Sequence, residues 1–482
     1  MTRPNRPQLA PADDLTAAAD IDISAAIAPL IGQRYRSPIV RPSSAADVAA
    51  LIDTSFPHEG EPLQHLVAQI ENAFEQYPRR NTHPGFFGWI APSGLPSDPL
   101  AHAMVAALNE NLGTYWASPV GTMIEKTVIR WLAELTGLPP RSEGVFTSGG
   151  SLSNLAGIAS AIARRYGRDY RERGLYQLAR DDEPVVLCSA AAHFSVRTAV
   201  ALLGLGTDSL VAIDTDEHFR MSTENLAETL KQQQNVLCVV ATAGTTNTGA
   251  IDPLEDIAAL CKQHDVWLHV DAAYGGGGLM SEDLRPRYRG IEKADSVVMD
   301  MHKWFFQSLG GSLLLYRDPH WARQIFYETS DYLTTSETPT PEQHAAFHFA
   351  PELSRRFRAL PFYIALRCYG LARLGRNALH NVQCAEYLAE LIRQHEDLEL
   401  VVAPQLAILC FRYRPAGYDE TEVDRINAAI RDRIQLDGDY LMSATRVHDR
   451  PVLRVCIINH ATRAEHVEGL LDNVLRIGRS LV

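Results

Sequence analysis

The chain contains 482 residues, of which 46% are hydrophobic and 21% are charged. This composition allows a large buried core, so we expect a globular protein and not a disordered one. The 45 Lys and Arg residues are outnumbered by 58 Asp and Glu residues, and the formal net charge of -13 disfavours nucleic acid as a partner.

The seven cysteines include no CxxC pair and lie mostly in apolar runs. This pattern is typical of buried thiols in a reducing compartment, so we expect a cytoplasmic protein. No run of about 18 uncharged apolar residues occurs, and no sustained apolar core follows the early arginines. We therefore expect neither a membrane span nor a signal peptide.

The chain begins with a Pro-rich stretch and two short amphipathic helical patterns, at 46–52 and 63–77. These are too thin to fold alone and should pack on something larger. Short apolar β-rich runs then alternate with helical patterns, and they lie at 184–188, 209–213, 236–242, 266–270, 296–299 and 312–316. Apolar strands interleaved with helices predict an α/β fold, with a mainly parallel central sheet and helices on both faces.

After Pro361 a helical pattern reaches about His395, and strand-like runs at 406–413 and 452–458 flank another helix. The one long irregular stretch, about 331–353, is typical of a lid or a surface segment. We expect three parts, which are an N-terminal helical segment (1–85), a large α/β domain that carries the site (86–365) and a small C-terminal α+β domain (366–482).

Ligands of open α/β sheets bind beyond the carboxyl ends of the strands. Asp271 ends one strand-like run just before four glycines, Gly275 to Gly278, and Lys303 follows another run beside His302. The acid could instead cap the next segment, and most lysines are surface side chains. A lysine close to a buried strand end is a stronger candidate, because desolvation lowers its pKa towards that of a nucleophilic amine.

His193 and Thr246 follow two further strand-like runs, and the segment from Thr147 to Ser151 precedes a helix. A lone histidine is more often structural, and a Gly-Thr-Thr segment is usually only a turn. Small residues with free N–H groups at a helix start can hold a phosphate. Together these residues meet the needs of pyridoxal phosphate, which requires a phosphate seat, an amine for its aldehyde and an anion for its pyridine nitrogen.

Six segments resemble the group II pyridoxal-phosphate-dependent amino-acid decarboxylases, which have the aspartate-aminotransferase-like fold (fold type I). This family includes aromatic-L-amino-acid, glutamate and diaminobutyrate decarboxylases, and the resemblance is to the aromatic group. The segments are TSGGSLSN at 147–154, AHFSV at 192–196, ATAGTTNTGAIDPL at 241–254, WLHVDAAYGG at 267–276, DMHKW at 300–304 and RRFRAL at 355–360. The pair HVDAA and HKW, which sets Asp271 and Lys303 32 residues apart, is specific to the family.

The resemblance implies that Lys303 holds the cofactor as a Schiff base and that Asp271 pairs with the pyridinium nitrogen. His193 would stack on the ring and help to orient the substrate carboxylate. The other residues implied in cofactor binding are Gly150, Ser151, Thr246, Ala273, Asp300 and His302. Some relatives carry Asn in place of Asp300, and an anion near a phosphate is unfavourable unless it is hydrogen-bonded or turned away.

The implied reaction is the decarboxylation of an L-amino acid to carbon dioxide and an amine, in a homodimer with its active sites at the interface. Relatives commonly protonate the product with a loop tyrosine, but here no tyrosine lies between Tyr332 and Tyr363. His348 or Tyr332 could substitute. Alternatively, the decarboxylated carbon could react with oxygen and give an aldehyde. We expect simple decarboxylation.

The segment 83–93 is similar to the pocket-forming stretch of the family, and its aromatic residues suit a flat apolar substrate side chain. The residues implied in the substrate pocket are Phe86, Trp89, Ile90, Pro92 and Ser93. Core packing explains any one of these aromatics equally well. Because no excess of basic residues accompanies them, we expect an aromatic amino acid, with an acidic or diamino substrate as the alternative.

Other reactions on the same scaffold, such as transamination or carbon–sulfur cleavage, stay open. A degenerate cofactor-binding scaffold is disfavoured by the intact set of Asp271, His302 and Lys303. A serine hydrolase built on Ser151 would lack the GxSxG elbow. The sequence shows no ligand cluster for a metal.

Overall fold

The computed structural model describes residues 23–91, 93–179, 182–327 and 345–482. Two residues named above, Pro92 and Tyr332, lie outside these ranges, as does most of the irregular stretch 331–353. Within the described residues, no helix has both the length and the apolar character needed to cross a membrane.

The described elements alternate between strands and helices for most of the chain. The strands are β1 (Phe86–Phe87), β2 (Glu143–Thr147), β3 (Val185–Ser189), β4 (Leu210–Ile213), β5 (Val236–Thr242), β6 (Trp267–Asp271), β7 (Ser296–Asp300), β8 (Ser312–Tyr316), β9 (Leu398–Val402), β10 (Ile408–Tyr413), β11 (Leu441–Val447) and β12 (Arg450–Cys456). The α-helices are α1 (Ile23–Gly32), α2 (Ala45–Ala49), α3 (Leu63–Gln76), α4 (Asp98–Leu108), α5 (Pro119–Leu135), α6 (Gly150–Tyr166), α7 (Asp169–Arg173), α8 (Leu175–Leu178), α9 (Phe194–Leu202), α10 (Thr223–Gln232), α11 (Leu254–His264), α12 (His320–Phe326), α13 (Ala359–Tyr369), α14 (Leu371–Arg393), α15 (Glu420–Asp437) and α16 (Ala464–Arg479).

The large sheet has seven strands in the order β2-β8-β7-β6-β5-β3-β4. Neighbours from β7 to β4 pair in parallel, and β8 is antiparallel to both of its neighbours. Successive side chains of a strand point to opposite faces. Val145 and Leu314 pack in one buried apolar cluster and their neighbours Phe146 and Leu313 in another. Both faces are therefore buried, which confirms the predicted parallel sheet covered on both sides.

The second sheet has five strands in the order β1-β11-β12-β10-β9, and it is antiparallel except for the β1–β11 pair. Helices α14, α15 and α16 pack on it. The predicted boundary put residues 86 and 87 in the large domain, but Phe86 and Phe87 pair with Leu441 and Met442. Strand pairing thus joins two segments that are far apart in the chain, and the domain boundaries stay a prediction.

Two further details differ from the sequence prediction. Strands β1, β2, β9 and β11 were not predicted, and the single helical pattern after Pro361 is two helices. The break falls at Gly370, which has a φ of 74° and separates α13 from α14. With this φ and a ψ of 151° the backbone leaves the helical conformation, and glycine adopts such a positive φ without strain.

Candidate active site

A cavity of about 620 Å³ lies at the carboxyl ends of the central parallel strands. All nine residues predicted to bind the cofactor line it: Gly150, Ser151, His193, Thr246, Asp271, Ala273, Asp300, His302 and Lys303. They come from segments spread over more than 150 residues of the chain. They meet because parallel strands present their carboxyl ends at one edge of the sheet.

Two carboxylates end adjacent strands and stand at the base of the cavity. Asp271 is the last residue of β6, and its Oδ1 accepts a hydrogen bond from the Ala273 N–H at 3.0 Å. Asp300 is the last residue of β7, and its Oδ2 lies 2.9 Å from Lys303 Nζ. Both carboxylates are buried. The amine therefore sits in an ion pair with one carboxylate, in a site that holds a second carboxylate.

The charge of Lys303 reflects a competition between burial and these neighbours. Burial alone disfavours the ammonium form. The negative charges of Asp300 and Asp271 outweigh burial and raise the pKa of Lys303 above its ordinary value. Desolvation alone predicted a lowered pKa for Lys303. That prediction was wrong, because two carboxylates lie beside the amine.

Two histidines border the cavity, and burial lowers the pKa of both below the usual value. His193 is the N-cap of α9, and its Nδ1 accepts a hydrogen bond from the Ser195 N–H. His302 Nδ1 lies 2.8 Å from Gly311 O, and its Nε2 lies 3.7 Å from Asp300 Oδ2. Both imidazoles are therefore expected to be mainly neutral at pH 7.

The anion seat predicted from the sequence lies at the start of α6. The helix has 17 residues and its N-cap is Gly149. Among the described residues, no side chain caps its first turn. The N–H groups of a helix start carry partial positive charge and can bind a phosphate. A Cβ added at Gly150 would lie 3.0 Å from both Asp300 carboxylate oxygens, so this carboxylate stands directly beside the seat.

The segment predicted to form the substrate pocket is placed differently. Its described members are not among the residues that line this cavity. Phe86 is buried in a small cluster with Leu441, and Ser93 Oγ donates to Ile458 O at 3.1 Å. Ile90 packs against the main core, and the Trp89 side chain is 51% exposed. Their part in substrate binding stays a prediction.

One side chain connects this segment to the cavity. Arg454 Nη1 donates to Trp89 O at 2.9 Å, and Arg454 Nη2 donates to Thr246 O at 2.7 Å. The guanidinium is buried between the two carbonyl groups. It ties the position of the 86–93 segment to that of a residue on the cavity wall.

Several polar residues of the cavity wall had no role predicted from the sequence, among them Asn154 and Ser195. Asn154 Nδ2 donates to Asp271 Oδ2 at 2.9 Å and to Ser195 Oγ at 2.9 Å. Both residues lie inside segments that resemble the family. The signal that could have identified Asn154 is its polarity within an otherwise small and apolar stretch of a helix that had to be buried.

Residues 46–414 match the pyridoxal-dependent decarboxylase conserved domain. The chain belongs to this family. It is a pyridoxal-phosphate-dependent amino-acid decarboxylase of fold type I, as the resemblance of its motifs predicted.

Known relatives of this decarboxylase differ in the substrates that their names specify. It is 32% identical to the aromatic-L-amino-acid decarboxylase of Bacillus atrophaeus over 87% of its own chain and 86% of the relative. It is 30% identical to the L-2,4-diaminobutyrate decarboxylase of Acinetobacter baumannii over 86% and 84%. The crystal structure of mouse CSAD superposes with a TM-score of 0.87 at 26% identity, over 95% of this chain and 98% of that one.

The cavity residues fit pyridoxal phosphate. The uncapped start of α6 matches its phosphate, Lys303 matches its aldehyde and Asp271 matches its pyridine nitrogen. Thr242 Oγ1 is buried, borders the cavity and has no hydrogen-bond partner among the described residues. Buried polar atoms are rarely left unpaired, so this hydroxyl is expected to face a polar ligand. Asp300 Oδ1 is unpaired among these residues as well, but a carboxylate oxygen only accepts and so does not account for a phosphate.

Proposed function

We propose that this decarboxylase acts on an aromatic L-amino acid and releases carbon dioxide and the corresponding amine. The observation that supports the reaction is that Lys303, Asp271 and His193 border one cavity beside the uncapped start of α6. Lys303 matches the aldehyde of the cofactor, Asp271 its ring nitrogen and the start of α6 its phosphate. His193 lies where it can meet the ring.

When bound, pyridoxal phosphate supplies a conjugated cationic ring that takes up the electron pair left when carbon dioxide departs. Lys303 would bind the aldehyde through Nζ, and Asp271 would keep the ring nitrogen protonated. Backbone N–H groups at Gly150 and Ser151 would hold the phosphate. Asp300 Oδ2, 2.9 Å from Lys303 Nζ, is placed to accept a proton from the amine.

His193 borders the same cavity and is proposed to stack on the ring and orient the substrate carboxylate. The bond to the departing carboxylate has to stand perpendicular to the conjugated ring for the electron pair to be delocalised. A neutral imidazole with one N–H can hold a carboxylate without forming a permanent ion pair with it. Thr246 and Ala273 would complete the walls beside the ring.

The choice of an aromatic substrate depends on the charges of the cavity. Among the described residues that line it, Lys303 is the only Lys or Arg, and Lys303 is assigned to the cofactor. An acidic substrate would need a second cation for its side-chain carboxylate. A diamino substrate would need an anion in addition to Asp271 and Asp300. The relative from Bacillus atrophaeus is named for aromatic amino acids.

An aldehyde product is the second candidate, and the missing tyrosine between Tyr332 and Tyr363 favours it. His348, the other substitute donor, lies in a 3-10 turn with its ring 4.4 Å from that of Tyr327 and is not among the cavity residues of its own chain. If protonation of the decarboxylated carbon is slow, one molecule of O2 and one of water would convert the amino acid to an aldehyde, carbon dioxide, ammonia and hydrogen peroxide.

The decarboxylase is also proposed to work as a homodimer. Helix α4 exposes Leu100, Met104 and Leu108, which are four residues apart and therefore share one helix face. An apolar face of this kind marks a protein interface. The seven free cysteines, six of them buried, support a cytoplasmic location.

A product analysis tests the proposed function. The holoenzyme is incubated in air with each common amino acid and with 2,4-diaminobutyrate, and carbon dioxide, amine, aldehyde and peroxide are quantified. We expect equimolar carbon dioxide and amine, with an aromatic amino acid giving the highest kcat/KM. A preference for an acidic or diamino substrate would contradict the substrate proposal, and stoichiometric aldehyde and peroxide would establish the second candidate.

The matched control is Lys303→Ala. It should lose both the cofactor absorption band and carbon dioxide release. Turnover that persists in this variant would contradict the role of Lys303, whichever substrate is preferred.

A further inference from the structure

A chain of buried hydrogen bonds runs beneath the cavity and ends at two of the proposed site residues. It crosses from the large sheet into α6 and on to the start of α9. In order, its members are Trp267, Ser296, His269 and Asn154, from which one branch reaches Asp271 and the other reaches Ser195 and His193. We call it the Asn154 chain.

The first half of the Asn154 chain is buried among the apolar side chains of the sheet. Trp267 Nε1 donates to Ser296 Oγ at 2.9 Å, and Ser296 Oγ lies 2.7 Å from His269 Nδ1. His269 Nε2 lies 3.0 Å from Asn154 Oδ1. Burial lowers the pKa of His269 to about 4, so this imidazole is neutral at pH 7 and carries one N–H.

The two ends of the chain determine the direction of every bond within it. The Trp267 indole can only donate, and the Asp271 carboxylate can only accept. Asn154 must therefore point its amide N–H groups at Asp271 and its carbonyl at His269. His269 must then hold its proton on Nε2, and Ser296 donates to His269 Nδ1. The opposite direction would set the Asn154 carbonyl against a carboxylate.

The same direction extends to His193. The Asn154 amide uses its second N–H on Ser195 Oγ, at 2.9 Å, and leaves the serine hydroxyl free to donate. Ser195 Oγ lies 2.8 Å from His193 Nδ1, and the Ser195 backbone N–H points at the same nitrogen at 3.3 Å. Two donors meet at Nδ1, so a neutral His193 has its proton on Nε2.

The packing of α6 on β6 is shaped to admit this chain. A Cβ added at Gly157 would lie 2.4 Å from His269 Cε1 and 2.6 Å from His269 Nδ1, which is far inside van der Waals contact. Only glycine at this position lets the imidazole lie beneath the helix and reach Asn154. The arrangement is thus built into the helix and does not depend on a surface loop.

We propose that Asn154 is a positioning residue that couples Asp271 to His193: one amide proton stabilises the Asp271 carboxylate, and the other, through Ser195, keeps the proton of His193 on Nε2. The proposal rests on the proposed roles of Asp271 and His193. Asn154 thereby keeps Asp271 charged for the ring nitrogen of the cofactor. It also keeps an N–H on His193 Nε2, which makes no hydrogen bond to Ser195.

The direct test reads the tautomer of His193 in the holoenzyme. Long-range ¹H–¹⁵N spectra of protein labelled with ¹⁵N-histidine report which ring nitrogen holds the proton, and the His193→Asn variant assigns the signal. We expect the proton on Nε2 in the natural protein. A His193 signal with the proton on Nδ1 would overturn the proposal, even if every variant below failed to fold.

The second measurement is cofactor affinity. Asn154→Leu removes both amide donors with little change in volume and should raise the Kd of pyridoxal phosphate about tenfold, since it removes a hydrogen bond to a charged group. It should also give a mixture of His193 tautomers. Asn427→Leu is the control, because Asn427 is equally buried but bonds only to backbone groups at Tyr413 and Val423. It should change neither reading.

A matched pair at His269 separates hydrogen bonding from packing. Glutamine can accept from Ser296 and donate to Asn154, so His269→Gln should retain most of the cofactor affinity. His269→Leu can do neither and should behave like Asn154→Leu. If folded Asn154→Leu and His269→Leu proteins kept the natural Kd and tautomer, the coupling would be refuted. The tautomer needs no turnover, so this result is independent of which substrate and product the decarboxylase has.

Discussion

Motifs assigned two regions to the active site, the strand-end residues and the segment from Phe86 to Ser93. Only the first set lies together in the structure. All nine residues predicted at the first region line one cavity. The described residues of the second are divided between a buried strand, the core and the surface. Parallel strands bring their carboxyl ends together by geometry, whereas no such rule directs the side chains of a connecting segment.

The largest effect is expected at Asp271, the carboxylate that ends β6. Asp271→Ala should lower kcat by at least about 10³-fold, because Asp271 is assigned to keep the ring nitrogen charged and the other carboxylate among the described cavity residues, Asp300, is paired with Lys303. Asp271→Asn keeps the size of the side chain but carries no charge and has one acceptor oxygen, so it can accept from Ala273 or from Asn154 but not from both. It should lose a similar amount. Steady-state kinetics with the cofactor at saturation would measure both, and near-normal turnover in either variant would contradict the role.

Phe86 tests whether the second region is core or pocket. This side chain is 4% exposed and packs with Ile39, Val40 and Leu441. Phe86→Ala should lower the free energy of unfolding by about 3 kcal/mol through the lost burial and the cavity left behind. Urea denaturation would measure this loss. A large rise in KM without any loss of stability would instead indicate that Phe86 touches the substrate.

The ion pair between Lys303 and Asp300 predicts a pH dependence of cofactor capture. The amine reacts with an aldehyde only when it is neutral, and the nearby carboxylates raise its pKa. The capture rate should therefore rise with pH, about tenfold per unit while the pH lies below the pKa of Lys303. The growth of the cofactor absorption band after rapid mixing, followed from pH 6 to 9, would measure this rise.

Removal of the Asp300 charge should shift that profile. Asp300→Asn should lower the pKa of Lys303 and speed capture about tenfold per unit of that shift at neutral pH. It should also bind the cofactor more tightly, since it removes an anion from beside the phosphate seat. A capture profile identical to that of the natural protein would show that Asp300 does not control the protonation of the amine.

Trp89 offers the smallest expected effect. Its side chain is exposed, with Arg79 stacked 5.0 Å from the ring centre. If it meets the substrate across a dimer interface, Trp89→Ala should raise KM for an aromatic substrate about threefold and leave kcat and stability nearly unchanged. Equal kinetics in both proteins would remove Trp89 from the substrate pocket.

Much of the fold was predictable from local pattern. The apolar runs that became β3 to β8 are bounded within about one residue of the observed strands, because a strand buried on both faces has to be apolar along its length. Strands β9 and β11 were missed. Most of β9 is only half buried, and β11 alternates between buried and partly exposed positions, so neither shows a continuous apolar run.

The family, the parallel sheet and nine residues of the cavity wall follow from the sequence alone, because motif spacing and the geometry of strand ends are enough to place them. Three features depend on the packing of distant segments: the pairing of β1 with β11, the ion pair of Lys303 with Asp300, and the Asn154 chain. His269 and Asn154 are 115 positions apart in the chain, and Trp89 and Ser443 are 354 apart. Contacts of this range depend on how α6 packs on β6 and how the two sheets meet, which no local pattern of residues encodes.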